Sequence, residues 1–150
     1  MNKIEIEIPE GKKAEWVNSV LTLVDDDVKV RIKTFEDACN ELGENHQYVR
    51  AYREWMRISY AECEDIAAYM KLRIITAALN EGWEPQFVKG ELRWYVWFSN
   101  KCVSLVCASA LGVGSVSYAG DGVRLAFRTK ELAEYCGKQF LHIWADYLLK

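Results

Sequence analysis

The sequence predicts one globular α+β domain spanning residues 1–150: an N-terminal β-hairpin, a helical middle, and an antiparallel sheet of three to four strands backed by a C-terminal helix. Three observations lead there. Apolar and polar residues alternate near the N-terminus and again from residue 92, the period of a half-buried strand. Between those stretches, and after residue 129, apolar residues recur at helical spacing. Finally, strands and helices come in blocks instead of strict alternation, which separates α+β from α/β chains.

The elements follow in order. KIEIEI, 3–8, puts Ile4, Ile6 and Ile8 on one face and Lys3, Glu5 and Glu7 on the other, a strand broken by Pro9–Gly11. AEWVNSVLTLV reads as two short strands around Asn18–Ser19, since Asn tolerates the positive φ of a tight hairpin turn. Asp25, Asp26 and Asp27 end this unit. Thr34 is the expected N-cap of a short helix with Glu36 and Asp37 in its first turn, Phe35, Cys39 and Leu42 on one face, and Gly43 as its stop.

Residues 46–58 are aromatic and basic and predict a further helix or helical turn. A long helix over 61–81 carries two apolar stripes, Ile66–Met70–Ile74–Ala77 and Ala68–Leu72–Ile75–Leu79, so it requires partners on more than one side. The period then becomes two: Leu92, Trp94, Val96 and Phe98 face one way, and Arg93, Tyr95 and Trp97 the other. KCVSLVCASAL is β-rich, and GVGS and AGDG supply turn glycines. VRLAFR predicts a last strand with Val123, Leu125 and Phe127 inward and Arg124 and Arg128 outward. Thr129 caps a single terminal helix, in which Glu134–Lys138 forms an i, i+4 pair and Gly137 permits close packing.

Composition bounds the function. The chain has 150 residues, 51% hydrophobic and 27% charged, with six Trp, which suffices for a continuous core. A net charge of −3 gives polyanions no help from the overall field, so a nucleic-acid site would have to be a local patch. No apolar run approaches the roughly 18–20 residues of a membrane span, and the charged N-terminus is not a signal peptide. The expectation is a protein of the host-cell cytoplasm without membrane association; association with a virion stays open. The five cysteines include no CxxC pair and read as reduced core thiols.

Catalytic constellations are weak. Cys136 and His142, six apart on one helix, point to different faces, so no nucleophile–base pair follows. Asp25–Asp27 lacks the spacing and glycine of a hard-cation loop and reads as a solvated strand end. Glu62, Glu64 and Asp65 suit a helix N-terminus better than paired-carboxylate chemistry. The glycine runs match no phosphate-binding pattern. No catalytic residue, metal site or cofactor is expected, and the chain reads as non-enzymatic.

One surface stands out. If Trp94 and its face meet the terminal helix, the opposite face presents Arg93, Tyr95, Trp97, Arg124 and Arg128, with Ser104 beside them. Trp, Tyr and Arg are enriched in protein-binding hot spots. The same set on an open sheet can stack single-stranded bases. The competing arrangement covers this face with the hairpin or the 61–81 helix and makes Tyr95 and Trp97 core; that helix's need for two partners favours it.

Three stretches carry a resemblance: IKTFEDACNELG (32–43), AALNEGWEP (77–85) and VRLAFRTKELAEYCGKQF (123–140), together with the opening IEIEIPEG. They resemble a family of small proteins encoded in phages and prophages of gut Bacteroidales, to which no activity is assigned. The chain departs from that pattern over 44–62 and 95–121. The resemblance implies a phage or mobile-element origin and transfers no site residue. Two readings therefore stand: an accessory protein that binds a protein partner or itself, or a binder of single-stranded nucleic acid or a nucleotide-like ligand. An inhibitor of host defence fits either.

Overall fold

The structure is a computed structural model and describes residues 6–58, 63–86, 88, 90–98, 108–113 and 123–150. It is a mixed α+β fold with two small antiparallel ladders and a helical core. Strands β1 (Lys12–Val17) and β2 (Val20–Asp25) pair from Lys12↔Asp25 to Val17↔Val20. Between them Asn18 and Ser19 take φ of 50° and 66°, both in the left-handed region that a two-residue hairpin of this twist demands. The expected strand over 3–8 is not found in its described part. Residues 6–8 are irregular, and Ile6 and Ile8 are exposed, because the ladder starts only at Lys12, beyond a turn closed by Lys12 N donating to Pro9 O at 3.1 Å.

Asp27 accepts from Lys29 N and caps a one-turn helix α1 (Val28–Arg31), which the sequence did not announce. Helix α2 (Phe35–Leu42) begins in a full capping box: Thr34 Oγ1 accepts from Asp37 N at 3.1 Å, and Asp37 Oδ2 accepts from Thr34 N at 2.8 Å. Helix α3 (Gln47–Ile58) buries only Val49 and Tyr52.

The core centres on α4 (Glu64–Asn80), which buries Ala68, Leu72, Ile74, Ile75, Ala78 and Leu79. It packs against α2 and α3, and against the two C-terminal helices, α5 (Lys130–Gln139) and α6 (Leu141–Leu149). Ile66, which the spacing assigns to the stripe, is exposed near its first turn.

Strand β3 (Arg93–Phe98) pairs with β4 (Ala108–Val113) from Arg93↔Val113 to Phe98↔Ala108, and α5 lies across both. The expected last strand shrinks to a single bridge, Trp94↔Phe127, with N–O distances of 3.0 and 2.7 Å; residues 123–125 form a 3₁₀ turn. The reason is Asn80. Its Nδ2 donates to Ala126 O at 2.8 Å and its Oδ1 accepts from Arg128 N at 3.1 Å, so one buried side chain takes the outward hydrogen bonds on either side of Phe127.

The terminal helix is also two, not one. It breaks at Phe140, whose carbonyl accepts from both Ile143 N and Trp144 N. Leu132, Ala133, Cys136 and Gly137 are buried on α5, which faces the sheet, while Ile143 and Trp144 are buried on α6, which runs along α4. A straight helix could not serve both surfaces. Glu134 pairs with Lys130 at 3.8 Å in place of the expected Lys138. The GVGS and AGDG turns lie wholly or partly outside the described residues.

Candidate functional site

The alternation read for β3 holds from Trp94 to Phe98. Trp94, Val96 and Phe98 pack against the core, with the Phe98 ring 5.7 Å from that of Trp144. On the other face Trp97 is 54% exposed and Tyr95 half-buried. The arrangement that would bury Trp97 is thereby corrected: α4 finds its main partners in α2, α3, α5 and α6. Leu92, assigned inward, precedes the strand and is exposed.

The three arginines do not join this pair in one open patch. Arg93 is buried, at 2% exposure. Arg128 reaches away to Glu81, its Nη2 2.5 Å from Oε2. Arg124 is exposed and lines a separate cavity beside Trp83. Ser104 lies outside the described residues.

Glu81 is a feature that the sequence did not single out. It sits just past α4 in the left-handed conformation, φ 49°. Its carboxylate is approached by Lys13 Nζ at 3.2 Å, Arg31 Nη2 at 2.5 Å and Arg128 Nη2 at 2.5 Å, and Arg31 also bonds Glu41. Burial alone would raise this carboxyl, but the hydrogen bonds and charges of Lys13 and Arg128 outweigh it and hold it below its ordinary range. The four residues are scattered over the chain, so no spacing could have revealed them.

The cavity at Arg124 was likewise missed. It holds about 250 Å³ and is walled by Tyr48, Thr76, Asn80, Trp83, Glu84 and Arg124, among others. Thr76 and Asn80 are buried polar residues on the apolar α4, which is the one signal the sequence offered.

Of the three described thiols, two are buried and inert. Burial pushes Cys39 up to about 11 and Cys136 up to about 12, so both stay protonated. Cys63, by contrast, is exposed, against the expectation of a core thiol, and Cys102 and Cys107 lie outside the described residues. His142 is exposed while Cys136 is wholly buried, so these two make no catalytic pair. Asp25 is paired with Lys12 at 2.6 Å and Asp27 serves as a cap. Among the described residues no group of three His, Cys, Asp or Glu gathers as metal ligands, and no helix is long and apolar enough to cross a membrane.

Comparison with protein-family models, with curated proteins and with solved structures finds no match.

Proposed function

We propose that the chain is a non-enzymatic accessory protein that binds a protein partner through side chains displayed on its strands, with Trp97 as the anchor. The observation that carries this reading is the half-exposed Trp97 on a strand whose other face is packed into the core. Trp94, Val96 and Phe98 anchor the backbone that carries this indole, and a large aromatic with few rotatable bonds loses little entropy on docking. Tyr95 lies two residues away on the same face and extends the surface. A second copy is one partner that the same surface fits.

The alternative reading, stacking of single-stranded nucleic acid or a nucleotide-like ligand, draws less support. A phosphate-tracking groove needs exposed cations beside the rings. Here Arg93 is buried and Arg128 is committed to Glu81. The resemblance to phage and prophage proteins of Bacteroidales makes a host or phage protein the partner class. Action in the host cytoplasm, as a defence inhibitor or in a virion, belongs to the same proposal.

The test sets Trp97→Ala against Phe127→Ala in stability and binding assays. Trp97→Ala should keep the thermal midpoint within a few degrees, since the side chain is half in solvent. Phe127→Ala, at a fully buried position, should cost about 3–5 kcal/mol. With folding intact, Trp97→Ala should lose the proteins captured by the wild-type chain from a Bacteroidales lysate, or its dimer if the partner is itself. Salt-sensitive binding of single-stranded oligonucleotides at about 50 mM salt, with protein capture untouched by the substitution, would establish the alternative in its place.

A further inference from the structure

We propose that the outer edge of β2 is a self-association surface, on which a second copy of the chain pairs its own β2 to form a closed dimer. This surface is separate from the strand face that carries Trp97. Residues 20–24 read Val-Leu-Thr-Leu-Val, the same in both directions and without a charge. An antiparallel strand meets its partner in reverse order. Two copies related by a two-fold axis at Thr22 therefore set Val20 against Val24, Leu21 against Leu23 and Thr22 against Thr22. That is the self-complementary match an isologous interface requires, and an unrelated peptide would need no such symmetry.

The backbone is set for this pairing. In a two-residue hairpin the pair beside the turn is hydrogen-bonded, so the Val17↔Val20 register commits Val20, Thr22 and Val24 to β1. Leu21 and Leu23 then turn N–H and C=O outward, and among the described residues neither bonds another segment. Val20, Leu21 and Leu23 are 63%, 37% and 43% exposed, and Thr22 is exposed beside them. Folded sheets usually blunt such an apolar edge with charge. The opposite edge is blunted in that way: β1 carries Lys12, Lys13 and Glu15, and Lys12 N is spent on Pro9 O.

Joining two ladders through β2 gives four strands in the order β1-β2-β2-β1, beyond the size at which a ladder is marginal. The Leu21–Leu23 pairs exchange backbone hydrogen bonds across the axis. Their side chains meet on the face that also carries Trp16, which stands opposite Leu21. The two Thr22 residues approach closest, with Cα atoms roughly 4.5 Å apart, and Thr opposite Thr is a favourable cross-strand pair. No like charges oppose each other: Asp25 falls against Ser19 of the second copy and is paired within its own chain to Lys12 at 2.6 Å. The charged β1 strands become both outer edges, so the assembly closes at two copies. One strand from each copy makes a small interface, which places the dissociation constant at about 10 µM to 1 mM.

Sedimentation of the full chain between about 10 µM and 1 mM should show a monomer–dimer equilibrium. Thr22→Lys sets two ammonium groups against each other at the axis, and Leu23→Pro deletes an outward N–H that β1 does not use. Each should weaken dimerisation at least about 10-fold, while the thermal midpoint of the dilute chain moves by no more than a few degrees, since both positions are exposed. In a Cys63→Ser background, Thr22→Cys should link two copies by a disulfide on oxidation, because the Cα spacing lies within disulfide range. Val20→Cys, roughly 13 Å from the same position in the second copy, should not. A chain that stays monomeric at about 1 mM overturns the proposal. So does a dimer that withstands Thr22→Lys, one that is lost only with Trp97→Ala, growth past two copies, or equal cross-linking from positions 20 and 22. Should Leu23→Pro disturb the hairpin, Thr22→Lys decides by itself: a weakened dimer supports the edge, and an unchanged one removes it.

Discussion

At the scale of single residues, Glu81 does the most with the least. One carboxylate meets Lys13 from the hairpin, Arg31 from α1 and Arg128 from beyond the bridge. Its folded-state pKa lies below its ordinary value, so it stabilises the fold in full above the unfolded value of about 4.3, and that stabilisation disappears as pH falls through the lower folded value. Glu81→Gln should therefore lower stability by about 1–2 kcal/mol at neutral pH, the range for hydrogen bonds to charged groups after allowing for partial exposure. The gap between parent and variant should close on acidification below about pH 4, as followed by chemical denaturation. A gap that does not change with pH would mean that charge is not what Glu81 contributes. Arg128 illustrates what the sequence could and could not show. Its outward direction from VRLAFR was legible, since Phe127 beside it is buried. Its partner was not, because Glu81 is 47 positions away with no pattern linking the two.

Among the elements, those specified locally were legible. Thr34 and Thr129 cap their helices as read, and Asn18–Ser19 turn the hairpin, because caps and tight turns depend on a few adjacent residues. The departures arise where a distant group decides. VRLAFR alternates as a strand does, and Leu125 and Phe127 do pack inward. Yet the outer edge of that segment is bonded by Asn80, a partner that no local window contains. Asn80→Ala should orphan Ala126 O and Arg128 N together and cost about 2–4 kcal/mol, measured by urea denaturation, with the loss concentrated in residues 123–129 by amide exchange. A loss below about 0.5 kcal/mol would show that water replaces the amide there. The break between α5 and α6 was illegible for a related reason. Apolar spacing runs through Phe140 without interruption, and only the placement of the sheet and α4 requires the turn.

For the whole molecule, order should be unequal. The core is gathered around α4, while β1 and β2 form a two-stranded ladder with Trp16 at 75% and Val20 at 63% exposure. Isolated hairpins of this size are marginal in water, and the exposed Lys13–Glu81 pair is a tie to the body. Amides of β1 and β2 should exchange at least about 100-fold faster than those of Leu72–Leu79, through local opening. Equal rates would mean that the hairpin opens only with the core. Tyr95 and Trp97 take the strand face that alternation assigned them because that pattern is local; the arginines read beside them dispersed because their destinations are tertiary. The kink at Phe140 has a bearing on how the chain comes into being. Residues on its two sides close different halves of the interior, the sheet by Leu132 and Cys136, the long helix by Ile143 and Trp144. A ribosome must therefore travel past Trp144 before both halves are sealed, and until then the nascent polypeptide holds apolar surface open to chaperones.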